Sequence, residues 1–397
     1  MNNQLDILEQ LPERHLLDND LYKFTMMWFV MNHFPESKVR YEFIDRRGYK
    51  YPQGLGAILN RRINSFRDIK MTQTQRRAFQ QKCPFLPNLF FDFLEGYRLD
   101  PSEVNIYQEN DGELRINIIG YQYRTILWEI ILMSEISEIN FLMTGEKPAE
   151  AQQYLSTKNV KKGVKLHMKN INFVDFGTRR RYSFDNQDQV IADLKEGGRG
   201  SFVGTSNVYF GIKHDVKIIG TMAHEIICAV GAVKGYAHAN KHLMEMWNQT
   251  YNGNLGSVLT DSFGLDSFLK DFDSYQSRIW DSVRHDSGDP KKFTDKIIEH
   301  YKKIGIDPMS KTIIFSDGLN VDKAIELADY CRGKIKTSFG IGTFFSNDVG
   351  VKPLNIVIKL FMIDDKHVIK LSDIDEKHTG NKRTIELVKE MIGYKPL

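Results

Sequence analysis

Cysteine is scarce: Cys83, Cys228 and Cys331 are the three occurrences in 397 residues, far apart and without a CxxC pair. That excludes a disulfide-stapled scaffold and a zinc knuckle, and an odd, low count fits a reducing compartment. Long hydrophobic runs are missing too. The most apolar segment, 126–136, is interrupted by Glu129 and Glu135 and falls short of the roughly 20 residues of a membrane span. The opening MNNQLDILEQLPERHLLDND has neither a basic start nor an apolar core, so no secretory leader is expected and a cytoplasmic location is. The sequon at Asn248 is then chance. Neither charge sign is in excess: 54 Lys and Arg face 51 Asp and Glu, a net +3, which argues against nucleic-acid or membrane partners. Walker A and GxGxxG sequences and internal repeats are absent, so ATP binding through a P-loop finds no support.

What is present is an ordinary globular composition, 41% hydrophobic and 26% charged, at a length that suits two or three packed domains. Residues 20–34 carry a helical pattern, with Asp18 or Asn19 as candidate N-cap and Pro35 beyond the end. KVRYEFID (Lys38–Asp45) alternates like a strand. Helices are expected at 58–66 and Gln73–Lys82, a hairpin turning at Asn110-Asp-Gly within 104–117, and a buried helix at 125–137. From about residue 170 short runs recur: INFVDFG, SFVGTSN, VKIIGTM, GSVLTDSFG, RIWDSVRHDSG, TIIFSDG, KIKTSFGIG and LNIVIKL. Several alternate with helical stretches at 224–247, 265–272, 290–304 and Val321–Cys331. Such alternation implies a parallel sheet, and this many units favour a closed (β/α) barrel with its active site at the C-terminal strand ends. The tail after about residue 365 is expected to return to the N-terminal domain.

Three glycine- and acid-rich loops end predicted strands: VRHDSGDP at 283–290, FSDGLN at 315–320 and FGIGT at 339–343. Glycine lets backbone N–H groups approach an anion, and a following helix N-terminus favours negative charge. Carboxylates beside such loops hold ribose hydroxyls or Mg²⁺. Turns alone do not need paired acids, so Arg284, Asp286, Ser287, Asp317 and Asn320 together point to a phosphorylated, hydroxylated small molecule. VDFGTRRRY (174–182) adds Arg179, able to fork onto phosphate or carboxylate, and Phe176, a possible stacking face. The bland alternatives are a solvated turn and a core ring. GTSNV offers Thr205, Ser206 and Asn207 as short donors, or only a polar turn. GTMAHE puts His224 at the mouth of a long apolar helix, as nucleophile or general base, or as a helix cap. His238 and His242 lack the glutamate of HExxH and read as a solvated helix face.

In order along the chain, LLDNDLYKFTM (16–26), ILWE (126–129), FGTRRR (176–181), GTSNV, GTMAHE, DSGDP, SDGLN, FGIGT and VIKLSD (368–373) resemble the nicotinate phosphoribosyltransferase family, NAD-salvage members of the type II phosphoribosyltransferase group. The resemblance implies an α/β fold: an irregular (β/α) barrel at 126–360, packed on an N-terminal α+β domain at 1–125 and completed by a tail at 361–397. It implies a homodimer with active sites at the subunit interface. It implies synthesis of nicotinate mononucleotide and pyrophosphate from nicotinate and 5-phosphoribosyl 1-diphosphate (PRPP), with Mg²⁺ and ligase-type coupling to ATP. By the same resemblance His224 is transiently phosphorylated, Phe176 stacks on the pyridine, and Tyr22 is the partner subunit's ring on the other face. Arg179 and Arg284 lie near nicotinate and diphosphate, and Asp286 and Asp317 near the ribose hydroxyls and metal. Gly318, Gly340, Gly342 and Thr343 cradle the 5-phosphate. Thr205, Asn207, Ser287 and Asn320 complete the expected substrate contacts.

Ser206 bears on the choice of base. The related nicotinamide enzyme carries an acid at this place; a serine hydroxyl donates to a carboxylate, whereas an acid repels one. Nicotinate is therefore ranked before nicotinamide and quinolinate. The alternatives are a non-catalytic phosphoribosyl-ligand sensor on the same fold, and a barrel lyase or aldolase using only the phosphate loops. For a Schiff-base enzyme, Lys336 and Lys359 sit in predicted strands but in no chemical motif. His285, inside VRHDSGDP, is a possible titrating neighbour of the diphosphate or a packed bystander. Arg46 and Arg47 either reach the active site or cover the domain interface.

Overall fold

The alternation in KVRYEFID has its expected result: Val39 and Tyr41 are buried while Lys38 and Ile44 are exposed. The computed structural model describes residues 2–374 and 378–396. Its strands, in chain order, are β1 (Lys38–Asp45), β2 (Val104–Gln108), β3 (Leu114–Tyr121), β4 (Phe173–Asp175), β5 (Phe202–Thr205), β6 (Lys217–Ile218), β7 (Ser257–Leu259), β8 (Ser282–His285), β9 (Thr312–Phe315), β10 (Lys336–Ile341), β11 (Ile356–Ile363) and β12 (Lys366–His367). One sheet is antiparallel, in the order β12-β11-β1-β3-β2. The other is parallel, seven-stranded, in the order β6-β5-β4-β10-β9-β8-β7.

The parallel sheet is curled into a half-barrel rather than closed. Among the described residues β6 and β7 do not pair with each other. The helix Leu21–His33 crosses that seam, where Thr25 Oγ1 donates to the Thr221 carbonyl (2.6 Å) and Thr221 Oγ1 to the Ser257 carbonyl (2.8 Å). β6 is only two residues long, so a helix and side-chain bonds substitute for the missing ladder.

Three expectations need correction. LNIVIKL lies in β11, which pairs antiparallel with β1 from Val39↔Ile363 to Asp45↔Ile356. Ile356, Val357 and Ile358 are buried in succession because the helix His224–Lys234 covers a face of this strand. A continuous apolar run does not distinguish this from a parallel barrel strand. The helix expected at 224–247 is two, His224–Lys234 and Ala239–Tyr251, divided at Gly235, whose φ of +107° an L side chain rarely adopts. The helix after residue 20 is preceded by Asp20, not capped by Asp18 or Asn19; the Asp20 carboxylate instead accepts from Thr178 Oγ1 and Ser206 Oγ, both at 2.8 Å.

The helix Trp128–Thr144 is buried on nearly every side, as a helix apolar all round must be. Its Glu135 carboxylate is met by Arg14 and Arg62, and Arg14 also pairs with Asp18, which binds Arg181 of the half-barrel at 2.7 Å. Buried charges persist only when paired, so this chain of ions locks the N-terminal segment onto the half-barrel. The tail reaches both halves. β12 extends the antiparallel sheet, and Lys270 Nζ donates to the carbonyl of Ile392 (2.9 Å) at the end of the helix Lys382–Ile392. Residues 375–377 of the tail lie outside the described part.

Candidate active site

The C-terminal ends of β4, β8, β9 and β10 open into a cavity of about 470 Å³ whose opposite wall comes from the ends of β1 and β11. Its half-barrel wall begins with Phe176, whose N–H bonds the Ile341 carbonyl (2.9 Å). A Cβ built on Gly340 would lie 2.3 Å from the Phe176 ring, so the glycine leaves the room that the ring occupies. The Arg284 guanidinium sits 5.6 Å from the ring centroid, a cation–π contact. Tyr22 lines the same cavity. Leu21 N–H bonds the Ser206 carbonyl (2.8 Å), which seats the start of Tyr22's helix on the half-barrel of the same chain.

Arg284 donates through Nε to Ser316 Oγ (2.8 Å) and through Nη2 to Asp286 (3.3 Å), and Ser316 Oγ donates to Asp286 (2.6 Å). Burial alone would raise the Asp286 pKa, but Arg284 and His224 outweigh it and hold it at about 2. Asp317, Gly318, Gly342 and Thr343 also line the cavity.

His224 is the first residue of its helix. Its Nε2 lies 2.7 Å from Asp261 Oδ1 and 3.6 Å from Asp286 Oδ2. Burial lowers the histidine's pKa against the pull of Asp261, keeping the ring neutral near pH 7. Asp261 is also desolvated, yet His224 and Lys370 hold it well below the usual carboxylate range. An ionised Asp261 at Nε2 fixes the tautomer that carries its proton there and leaves the lone pair on Nδ1.

Cations crowd the cavity: Arg179 and Arg180 follow β4 on the half-barrel side, and Arg46, Arg47, Lys359 and Lys370 come from the opposite wall. Burial, then Arg179, Arg46 and Arg47, push Arg180 down to about 10. Burial and then Lys370 push Lys359 down to about 8. Cations crowded until they repel one another make a site for a polyanion. Arg46 and Arg47 thus reach the cavity, whereas His285 is a packed residue, buried edge-on against Phe293.

Other expected contacts are turned away from the cavity. Thr205 Oγ1 donates to Asp175 (2.8 Å), Ser206 Oγ to Asp20 (2.8 Å) and Asn207 Nδ2 to Asp18 (2.7 Å), all three buried. Ser206 and Asn207 fasten the segment before Tyr22 to the strand end of β5, and Thr205 ties that end to β4. Ser287 Oγ donates to Asp261 (2.7 Å), and Asn320 caps the helix Val321–Cys331 by accepting from Lys323 N–H (2.8 Å). Sequence reading gave no role to Asp261, Ser316 or Lys370, and weighed Lys359 only as a Schiff-base lysine. Asp261 had a readable signal, an acid within the GSVLTDSFG run, and Ser316 and Lys370 lie in the FSDGLN and VIKLSD motifs, whereas Lys359 lies in no motif.

Residues 171–395 match the profile of the nicotinate phosphoribosyltransferase family, and residues 17–137 match that of its N-terminal domain. The chain belongs to the nicotinate phosphoribosyltransferase family. It is 44% identical to nicotinate phosphoribosyltransferase of Chromohalobacter salexigens, over 95% of this chain and 98% of that one. Identity to the Desulforapulum autotrophicum enzyme of the same name is 43%, over 93% and 96% of the two chains. Its fold superimposes on the crystal structure of nicotinate phosphoribosyltransferase from Porphyromonas gingivalis with a TM-score of 0.94 at 38% identity, covering 96% of this chain and all (100%) of the other. The Vibrio cholerae structure gives a TM-score of 0.90 at 34% identity, with 97% and 95% covered. Family membership thus agrees with the ring slot, acid loops and basic wall described above.

Proposed function

We propose that this protein joins nicotinate to PRPP, releasing pyrophosphate and forming nicotinate mononucleotide, and that it couples the reaction to ATP through His224. The observation that carries the coupling is the Asp261–His224 pair, 2.7 Å apart and opening onto a cavity with a wall of cations. Phe176 and Tyr22 hold the flat pyridine, and the arginines supply the counter-charge for its carboxylate. Selection against nicotinamide rests on these arginines, because the Ser206 hydroxyl is engaged by Asp20.

As the pyridine nitrogen displaces the diphosphate from C1 of the ribose, positive charge develops on the sugar. Asp286, ionised at any ordinary pH, stabilises that charge from the strand-end side. Arg46, Arg47, Lys359 and Lys370 stabilise the departing diphosphate from the other. Mg²⁺ fits the donor set: Asp286 and Asp317 face the cavity, and among the described residues no three acids or histidines gather into a cage, so these acids would share the ion with the diphosphate. When bound, the ion neutralises diphosphate charge.

For the coupling, the Nδ1 lone pair attacks the γ-phosphorus of ATP, the N–P bond forms as the P–O bond to ADP breaks, and the Nε2 proton stays with the ring against Asp261. Water later takes the phosphoryl group. The working protein is a cytoplasmic homodimer in this reading, a state that light scattering checks directly.

The deciding assay measures mononucleotide from PRPP and Mg²⁺ with nicotinate, nicotinamide or quinolinate, each with and without ATP. Product from nicotinate alone, raised by ATP with ADP release, is expected. In His224→Ala the ATP stimulation should vanish while ATP-independent synthesis persists; stimulation retained in that variant rules the coupling role out.

A further inference from the structure

The segment after β12 is knitted onto the loop that carries Asp261. Leu371 N–H bonds the Ser262 carbonyl (2.9 Å), Lys370 Nζ bonds Asp261 Oδ2 (3.1 Å), and Leu265 N–H bonds Asp373 Oδ1 (2.8 Å). At its centre Ser372 is fully buried with a φ of +73°. A non-glycine residue in the left-handed region is uncommon and persists only when its surroundings hold it there. Here both ends of the residue are held. Its carbonyl accepts from the Tyr394 hydroxyl (2.7 Å), and its Oγ lies 3.0 Å from Ser287 Oγ and 3.4 Å from Asp261 Oδ2. Ser287 gives its own proton to Asp261 Oδ2 at 2.7 Å, so the nearer acceptor for Ser372 is Ser287. Two hydroxyls in series therefore end on one oxygen of Asp261, while the other oxygen holds His224 Nε2.

We propose that Ser372 and Tyr394, from the C-terminal segment, are positioning residues for His224, acting through Ser287 and Asp261. The proposal rests on the reading of His224 as the group phosphorylated by ATP. The twisted backbone at Ser372 aims its hydroxyl at Ser287, and Tyr394 fixes that twist from the end of the chain. With one oxygen held by these hydroxyls, Asp261 keeps its other oxygen on Nε2, and the ring is fixed with the Nδ1 lone pair in a set direction.

The test measures phosphohistidine formation from γ-labelled ATP in single turnovers across a series of ATP concentrations. The variants are Ser372→Ala, Ser372→Gly and Tyr394→Phe. Glycine adopts the φ without strain, so Ser372→Gly separates the hydroxyl from the backbone. Both Ser372 variants should lower the maximal rate of phosphoryl transfer about tenfold, with the ATP concentration at half-saturation unchanged. Tyr394→Phe should lower that rate by less. ATP-independent synthesis should hold in all three. A Ser372→Gly protein matching wild type in maximal rate overturns the relay, as does parallel loss of ATP-independent synthesis. A wild-type protein that never becomes phosphorylated is a different result: it removes the His224 reading and the relay with it.

Discussion

The two walls of the cavity are built on opposite plans. The half-barrel wall is made of loops, where glycines and acids adjoin in sequence: Asp286 in DSGDP, Asp317 and Gly318 in SDGLN, Gly342 and Thr343 in FGIGT. The facing wall is made from the antiparallel sheet, and its cations come from distant places: the pair Arg46 and Arg47 after β1, Lys359 within β11, Lys370 beyond β12. In the proposed reaction the first wall would face the sugar as it develops positive charge and the second the leaving polyanion. A chemically complete site exists only where two sheets of different topology meet.

If the acid wall carries the chemistry, its loss should have the largest effect. Asp286→Asn keeps the shape and removes the charge; kcat should fall about 100- to 1,000-fold with PRPP binding little changed. A fall confined to KM would transfer that role elsewhere. Gly340→Ala comes next. Its methyl would meet the Phe176 ring at 2.3 Å, so the ring must swing, and kcat/KM for nicotinate should drop about 100-fold; an unmoved value means the ring is not a positioning surface.

The basic wall should respond in binding instead. In the free protein Lys359 loses its proton near pH 8, because burial and Lys370 lower its pKa. Its attraction for a polyanion is therefore present below that pH and fades above it. The KM for PRPP should rise as pH passes through this range in wild type and stay flatter in Lys359→Arg, with kcat unaffected. Identical profiles for the two proteins would remove Lys359 from the anion wall. The smallest effect is expected at Ser206→Ala, which deletes a buried bond to Asp20. Stability should fall by about 1 kcal/mol and the preference for nicotinate over nicotinamide should stay, whereas a switched preference would return the hydroxyl to the substrate.

Legibility followed the same division. Loop motifs were readable because glycine and paired acids in a few residues have little purpose in an ordinary turn. Thr205, Ser206 and Asn207 are ambiguous for the converse reason: short donors at a strand end serve a substrate or a neighbouring segment equally well. Here Ser206 and Asn207 meet Asp20 and Asp18, almost 190 positions away in sequence, and Thr205 meets Asp175. β11 was misplaced because burial on both faces erases the alternation that marks an antiparallel strand.

The sequence by itself determined the identity of the family, the parallel sheet, the order of its strand-end loops and the histidine, since each is encoded by residues close together. Only the tertiary structure decided that the barrel stays open at β6 and β7, that Tyr22 lines its own chain's cavity, and that Asp261 and Lys370 belong with His224. Local pattern governs hydrogen bonding within an element. The pairing of charges far apart in the chain depends on which surfaces burial brings together, and no window of sequence contains that.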